Sequence, residues 1–389
     1  MSALSISNKS STLEYFLPCL NGPVKVRLDS NSSKSIQKSH KTFSHLLKNG
    51  EKIYGVTTGF GDLSSIPIDV NDQRKLQLNL IRSHATGVGK SFDPGITRII
   101  MLLKLLNWSK GVSGVRTKLV QLLKNFLNHD ILPEIPRQGS VGASGDLAPL
   151  AHMALPLIGE GLVNFQGRIM PAMLAMKEVG LEPIILEPKE GLSIINGTQV
   201  STAIAIKACI DAENILKVAD LSGAMSVEAS LSSRSVFKSE IHKLKGHPGQ
   251  RIVASNVWNL LNKSQIVLSH KNCDRLQDPY SFRCIPQVHG ISRENYKCVK
   301  EIVENEANSV SDNPLIMPNG KILNSGHFHA ESIAQAMDNL AIAIAEIGSI
   351  AERRIHYFMK GIDDYIPPFI ASNPGLESGF MTAHVTAAS

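Results

Sequence analysis

One short segment, rich in glycine and serine, could build a reactive group from its own backbone. This reactive loop reads GSVGASGDLAPLAH over residues 139–152 and has Ala143, Ser144 and Gly145 at its centre. Glycine bends at low steric cost, so the Gly145 nitrogen could attack the Ala143 carbonyl carbon and close a five-membered ring. Loss of one water from that ring and of a second from Ser144 would leave a methylidene-imidazolone, a carbon electrophile. The plainer interpretation is a loop before a helix capped by Asp146, so the longer context must decide.

Five other segments place polar or aromatic side chains in loops or at helix ends, where functional residues often occur. They are centred on Tyr54 in YGVTTGFGD, His84 in RSHATGVG, Asn196 in INGTQ, Arg283 in LQDPYSFRC and Phe328 in SGHFHAE. Each alone has a structural explanation, such as a loop-edge tyrosine, a helix-capping histidine or a turn amide. The arginine also has a planar fork that can bind a carboxylate through two parallel hydrogen bonds. Their occurrence in one chain favours a common site.

Together with the loop, these segments resemble the aromatic amino acid ammonia-lyases, and the resemblance runs from about Tyr54 to the last residue. It implies that Ala143, Ser144 and Gly145 cyclise autocatalytically to the methylidene-imidazolone and that no external cofactor is needed. The electrophile would then activate an amino acid substrate by bonding to its amine or to its aromatic ring.

The resemblance also implies a role for each of the other site residues. Tyr54 would be the base that removes the β-proton of the substrate, which requires groups nearby that stabilise a phenolate. Asn196 and Tyr280 would support the electrophile, and Arg283 would hold the substrate carboxylate. The residues that line the substrate pocket would be His84, Gln277 and Phe328.

The expected substrate is L-histidine, with urocanate and ammonia as products. The pair Ser83 and His84 resembles the Ser-His of the histidine branch rather than the Phe-Leu or His-Leu of the phenylalanine and tyrosine branches. One departure weakens this assignment, because His327 stands where the family pattern has Asn. A tyrosine or phenylalanine ammonia-lyase or an aminomutase, with His84 facing a phenol, is therefore the alternative. His327 and His329 could suggest a metal pair, but no third ligand follows at metal-site spacing, so no metal is predicted.

The pattern of apolar residues and helix breakers predicts a mainly α fold with two domains. Residues 1–198 would form an N-terminal mixed domain that carries the reactive loop, with a loose tail over its first twenty residues. Residues 199–389 would form a bundle of long, largely apolar helices, which implies oligomerisation. The resemblance adds that the architecture is that of the ammonia-lyase (fumarase/aspartase-like) superfamily. It implies a homotetramer with active sites shared between subunits.

The chain ends at Ser389, inside what should be a core helix of this bundle. In the family the chain continues well beyond this point, and its further segment supplies an acidic residue near the substrate amine. The sequence is therefore expected to be a fragment, a degenerate copy or a chain that a partner completes. An inactive helical scaffold that only oligomerises is the alternative from another functional class.

Composition narrows the class of partner and the compartment. The formal charge is +6, but the lysines are spread out and no basic run is interleaved with aromatic residues, so nucleic acid is not expected. No stretch of about 18 apolar residues lacks charge, and the polar, Ser-rich start has no signal-peptide core, so no membrane segment is expected. A cytoplasmic protein with reduced thiols is predicted from five scattered cysteines: Cys19, Cys209, Cys273, Cys284 and Cys298.

Overall fold

The computed structural model of the chain describes residues 2–7, 9–270 and 275–389, so Cys273 lies outside the described residues. The chain forms two compact units. The first contains Met1–Lys207 and Ile302–Gln335, and the second contains Ala208–Glu301 and Ala336–Ser389. Helices predominate and the strands are short, which confirms the predicted mainly α fold.

The described elements have the following bounds. The strands are β1 (Ser2–Ile6), β2 (Val24–Leu28), β3 (Val88–Ser91), β4 (Leu132–Pro133), β5 (Pro136–Gln138), β6 (Leu162–Phe165), β7 (Arg168–Pro171), β8 (Leu315–Ile316) and β9 (Ile322–Leu323). The helices are α1 (Leu13–Asn21), α2 (Ser30–Lys48), α3 (Gln73–His84), α4 (Pro94–Ser109), α5 (Thr117–His129), α6 (Leu147–Ala154), α7 (Ala172–Glu178), α8 (Glu190–Ile195), α9 (Gln199–Ala229), α10 (Ser239–Lys245), α11 (Pro248–Leu260), α12 (Gln265–Ser269), α13 (Tyr280–Arg283), α14 (Ile285–Ala307), α15 (Glu331–Met359) and α16 (Met381–Ala388).

Helix α4 is the central helix of the first unit. Pro94 lies in its first turn, where a proline has no hydrogen bond to lose. Residues 97–109 are all buried, so the helix is enclosed on every side rather than on one face. It contacts α1, α2 and α5. Because no face of α4 meets solvent, any polar side chain on it must find its partners inside the unit.

Residues 2–6 and 13–20 lie in regular elements, and the prediction of a loose tail over the first twenty residues is wrong. β1 pairs in parallel with β2, with Ile6 opposite Leu28. Helix α1 then buries Leu13, Phe16 and Cys19. This apolar spacing supplies the burial that anchors the segment.

Residues 302–335, which the sequence assigns to the helical bundle, belong to the first unit. Polar side chains explain this difference from a division at residue 198. The Thr198 hydroxyl donates to Glu306, and the Ser193 hydroxyl donates to Asp312 over 2.8 Å. β8 and β9 then form a hairpin around residues 319–320, an Asn-Gly pair that is typical of such turns.

The second unit is helical in all of its described regular elements. Its apolar core includes Val227 of α9, Val257 of α11, Phe282 of α13 and Ile285, the first residue of α14. Phe282 meets Tyr357 of α15 edge to face, with ring centroids 5.1 Å apart. The long helices predicted from the apolar pattern are α9, α14 and α15.

Among the described residues, α15 is the one helix long and apolar enough to cross a membrane by length and composition. Its most apolar window has a mean hydropathy of 1.2 and is 33% buried. A core helix of a helical bundle passes the same test, so this property is weak evidence for a membrane span.

Candidate functional site

A cavity of about 830 Å³ in the first unit brings together side chains from distant parts of the sequence. Its walls come from the loop after residue 53, one face of α3, the reactive loop, the end of α8 and the segments around residues 313 and 324–328. Five of the predicted site residues line it: Tyr54, His84, Ser144, Asn196 and Phe328. These are five of the seven predicted site residues of the first unit, and Ala143 and Gly145 are not among the lining residues.

The reactive loop presents Ser144 to this cavity and keeps Gly145 buried. The backbones of Ala143 and Gly145 lie against each other as an isolated bridge. Gly145 has a φ of +83°, and a Cβ there would lie 2.7 Å from the Gly197 carbonyl oxygen. Both features require glycine at this position. The residues present thus fit a tight turn that brings the backbones of Ala143 and Gly145 together.

Asp146 anchors the end of the loop. It is fully buried, and its carboxylate accepts hydrogen bonds from the backbone amides of Val200 and Ser201, at 2.9 and 2.8 Å, in the first turn of α9. It also accepts from the hydroxyls of Ser140 and Ser201, at 2.7 and 2.6 Å. A carboxylate at a helix N-terminus is stabilised by unpaired amides and by the helix dipole. Asp146 therefore caps α9 and not, as the sequence suggests, α6, where it makes no side-chain capping bond.

Tyr54 lies in the glycine-rich loop at one wall of the cavity. The Gly61 amide donates to its phenol oxygen over 2.9 Å. The Phe60 ring meets the Tyr54 ring edge to face, with ring centroids 6.2 Å apart. These two contacts fix where the phenol oxygen lies. The Gln77 amide in turn donates to the Gly55 carbonyl over 2.8 Å and ties this loop to α3.

His84 ends α3, on the helix face that also carries Leu76, Leu80 and Ser83 into the cavity. Its Nδ1 lies 2.8 Å from the Leu80 carbonyl oxygen, which can only accept a hydrogen bond. Nδ1 therefore carries the proton in this geometry, and Nε2 is the remaining hydrogen-bonding atom of the ring.

Asn196 is 4% exposed and follows directly after α8. Its side-chain amide donates to the Asn313 backbone carbonyl over 2.9 Å, and the Asn196 backbone carbonyl accepts from the Lys104 ammonium over 2.8 Å. Lys104 also donates to the Ser193 carbonyl over 3.2 Å. Burial lowers the pKa of Lys104 to about 7, although Asp312 opposes the shift.

A second buried lysine lies close to this network. Lys189 and Asp312 form an ion pair of 3.2 Å in which both side chains are 0% exposed. Burial lowers the pKa of Lys189, and the carboxylate opposes that shift. Lys104 and Lys189 were not among the predicted site residues, although a lone lysine within the apolar run IIMLLKLLNW was a usable signal.

The remaining predicted site residues, Gln277, Tyr280 and Arg283, belong to the second unit and do not line this cavity. Gln277 is exposed and Tyr280 is 72% exposed. The Arg283 guanidinium lies over the Tyr280 ring, 4.5 Å from its centroid. Its Nε is buried without a hydrogen-bond partner in the described part of the chain.

In residues 2–7, 9–270 and 275–389, no group of three or more His, Cys, Asp or Glu side chains could hold a metal ion. His327 and His329 are both exposed, and His329 Nδ1 accepts a backbone hydrogen bond from Glu331 over 3.2 Å.

Comparisons with known proteins identify the family of this chain. The sequence model described as aromatic amino acid lyase matches residues 12–389. A histidine ammonia-lyase of Photorhabdus laumondii is 45% identical over 390 residues, which cover 100% of this chain and 76% of that protein. The crystal structure of histidine ammonia-lyase from Trypanosoma cruzi has a TM-score of 0.89 at 36% identity and covers 99% of this chain and 73% of its own. The tyrosine aminomutase of Streptomyces globisporus has a TM-score of 0.92 at 33% identity, with 99% and 77% covered. This chain therefore belongs to the aromatic amino acid lyase family, and it is an enzyme of the carbon–nitrogen lyase class.

Proposed function

We propose that the chain eliminates ammonia from L-histidine to give urocanate, by way of a methylidene-imidazolone formed from Ala143, Ser144 and Gly145. The observation that carries this proposal is the single cavity shared by Tyr54 and Ser144 with a histidine, an amide and a phenylalanine. The similarity to histidine ammonia-lyases at 44–46% identity favours histidine among the possible substrates.

Formation of the electrophile balances as the loss of two waters. The Gly145 nitrogen bonds to the Ala143 carbonyl carbon, whose oxygen leaves as water with the protons of the Gly145 and Ser144 nitrogens. The Ser144 hydroxyl then leaves as water with the Ser144 α-proton, which creates the exocyclic double bond. The mass of the chain falls by about 36 Da. The positive φ of Gly145 and its backbone bridge to Ala143 support this step.

The electrophile would supply a carbon that accepts an electron pair from the substrate. The chain's own residues would do the rest. Tyr54, fixed by the Gly61 amide, would take the β-proton as ammonia departs. Asn196 would hold the loop oxygen with the amide proton that Asn313 does not use. Such donors speed a reaction when they bind the transition state more strongly than the ground state.

His84 would recognise the substrate ring, and Phe328 would contact it. Because Nδ1 of His84 donates a hydrogen bond to the Leu80 carbonyl, its Nε2 can accept one from the imidazole N–H of the substrate histidine. The phenol of tyrosine can donate to the same atom, so a tyrosine ammonia-lyase or aminomutase is the second candidate. The tyrosine aminomutase similarity favours that candidate.

We further propose that Gln277, Tyr280 and Arg283 serve the cavity of another copy of the chain in a homotetramer. The exposure of Gln277 and Tyr280 supports this role. Arg283 would then bind the substrate carboxylate.

The cytoplasmic location stays a prediction.

Turnover of histidine against tyrosine tests the substrate. Urocanate and coumarate absorb differently, so both reactions can be followed in one instrument. We expect ammonia and urocanate from histidine, and a fall of about tenfold or more in kcat/KM for histidine in the His84→Phe variant. Faster elimination from tyrosine would favour the second candidate, and no product from either would favour an inactive scaffold.

A further inference from the structure

Lys104 is a charged side chain in a place where an apolar one would pack. It lies in the middle of α4, is 0% exposed and has no carboxylate within ion-pair distance among the described residues. Two buried carboxylates influence its charge: Asp312, which has the larger effect, is already paired with Lys189, and Asp146 caps α9. An ammonium without an ion-pair partner is costly to bury. The two groups that accept hydrogen bonds from Lys104 therefore indicate which part of the structure its charge stabilises.

Both hydrogen bonds go to the end of α8. The Ser193 carbonyl is in the last turn of this helix, and the Asn196 carbonyl belongs to the first residue after it. Unpaired carbonyls at a helix C-terminus carry partial negative charge, and a cation there stabilises them. The ammonium thus fixes the direction in which the chain leaves α8.

The peptide unit that joins Asn196 to Gly197 connects Lys104 to the reactive loop. In a trans peptide the C=O and the N–H point in opposite directions, so the Gly197 N–H points away from Lys104. The Gly197 nitrogen lies 3.0 Å from the position of a Cβ on Gly145. No acceptor for this N–H is found in the described part of the chain. The Gly197 carbonyl on the other side accepts the Asp146 amide over 2.8 Å.

We propose that Lys104 is a positioning residue that holds and polarises the Asn196–Gly197 peptide, so that its N–H faces the reactive loop as the loop cyclises. This inference rests on the proposed function. A hydrogen bond to a peptide carbonyl strengthens the donor at the other end of the same peptide. That donor would bind the oxygen that gains negative charge as the Gly145 nitrogen attacks Ala143. Lys104 itself does not touch the reacting atoms.

Three variants test the proposal, each followed by intact mass at timed intervals after cell-free synthesis. Lys104→Met keeps the volume and removes the charge and the donors. Lys104→Arg keeps the charge and the donors. Leu105→Met is the matched control, because Leu105 is also 0% exposed and lies on the same helix. Thermal unfolding of each variant reports on the fold.

We expect Lys104→Met to fold, because loss of a buried charge offsets the loss of two carbonyl contacts, and to cyclise about tenfold or more slowly. Lys104→Arg and the control should cyclise within about threefold of the wild-type rate. If the Lys104→Met variant cyclises at the wild-type rate, the proposal is overturned. An unfolded Lys104→Met would also overturn it, since the cation would then be needed for the fold itself. So would an Arg variant that folds but cyclises as slowly as Met. If the wild-type chain loses no water, the proposed function fails instead, and the two failures are distinct.

Discussion

Gly145 and Gly197 approach each other so closely that a Cβ on Gly145 would lie 2.7 Å from the Gly197 carbonyl oxygen. Gly197 has no room either, since a Cβ on it would meet Gln199 Oε1 at 2.5 Å. The Asp146 amide closes the contact with a hydrogen bond of 2.8 Å to the Gly197 carbonyl. The turn after α8 thus forms the surface against which the reactive loop is bent.

Substitution of Gly145 by alanine should abolish cyclisation. The new methyl group would collide with Gly197, and a φ of +83° is unfavourable for alanine. The control is Gly180→Ala, whose φ is +70° but which has nothing within 4 Å of the added Cβ. It should lose about 1 kcal/mol of stability and cyclise normally. Intact mass measures both variants, and a cyclised Gly145→Ala chain would contradict the close contact.

Removal of the Asp146 carboxylate should destabilise the first unit. Asp146→Ala leaves two amides of α9 without their acceptor, so we expect a loss of about 3 kcal/mol in the free energy of unfolding. Asp93→Ala is the control, because Asp93 precedes α4 with an exposed side chain that makes no capping bond to the helix. It should cost less than about 1 kcal/mol. Urea unfolding followed by circular dichroism measures both, and equal losses would argue against the role of Asp146.

The buried pair Lys189 and Asp312 should show strong coupling. Asp312→Asn alone leaves the Lys189 ammonium without its carboxylate and should cost about 3–5 kcal/mol. Lys189→Met alone leaves the carboxylate unpaired. The double variant should cost less than the sum of the two single variants by about 2 kcal/mol or more. Additive losses in a double-mutant cycle would show that the pair acts as two independent groups.

His289 should make the stability of the second unit depend on pH. It is 0% exposed, its Nδ1 lies 3.0 Å from Asp220, and burial holds its pKa below the ordinary value of 6.5. Asp220, which also binds Asn256 and Arg293, opposes this shift, whereas Arg293 and Arg354 reinforce it.

The sign of this effect follows from proton binding. Below pH 6.5 the unfolded chain binds a proton at His289 that the folded chain resists. The contribution of His289 to the free energy of unfolding is therefore complete above pH 6.5 and is lost as the pH falls. Melting temperatures between about pH 8 and pH 5 should fall less steeply in His289→Gln than in the wild type. Equal slopes would mean that His289 does not contribute, and His242→Gln is the comparison for another histidine whose pKa burial lowers.

Local sequence signals predicted the elements that depend on local chemistry. The hairpin around Asn319 and the run that became α9 follow from turn residues and apolar spacing. The N-terminal strand was missed because each of its residues pairs with one 22 positions further along, in β2, and the pairing has no local signature. The apolar run around Lys104 marks this lysine as unusual, but its partners, Ser193 of α8 and Asn196 directly after that helix, are 89 and 92 residues distant and have no local signature. Long-range contacts of this kind decide which buried charges are satisfied.

The central claim is that this chain builds its electrophile from Ala143, Ser144 and Gly145. The most direct test is the intact mass of the purified wild-type chain beside that of Ser144→Ala, which cannot lose the second water. We predict that the wild type is about 36 Da lighter than its sequence mass and that Ser144→Ala is not. A wild-type mass equal to the sequence mass would contradict the account, because the loop geometry would then exist without the reaction.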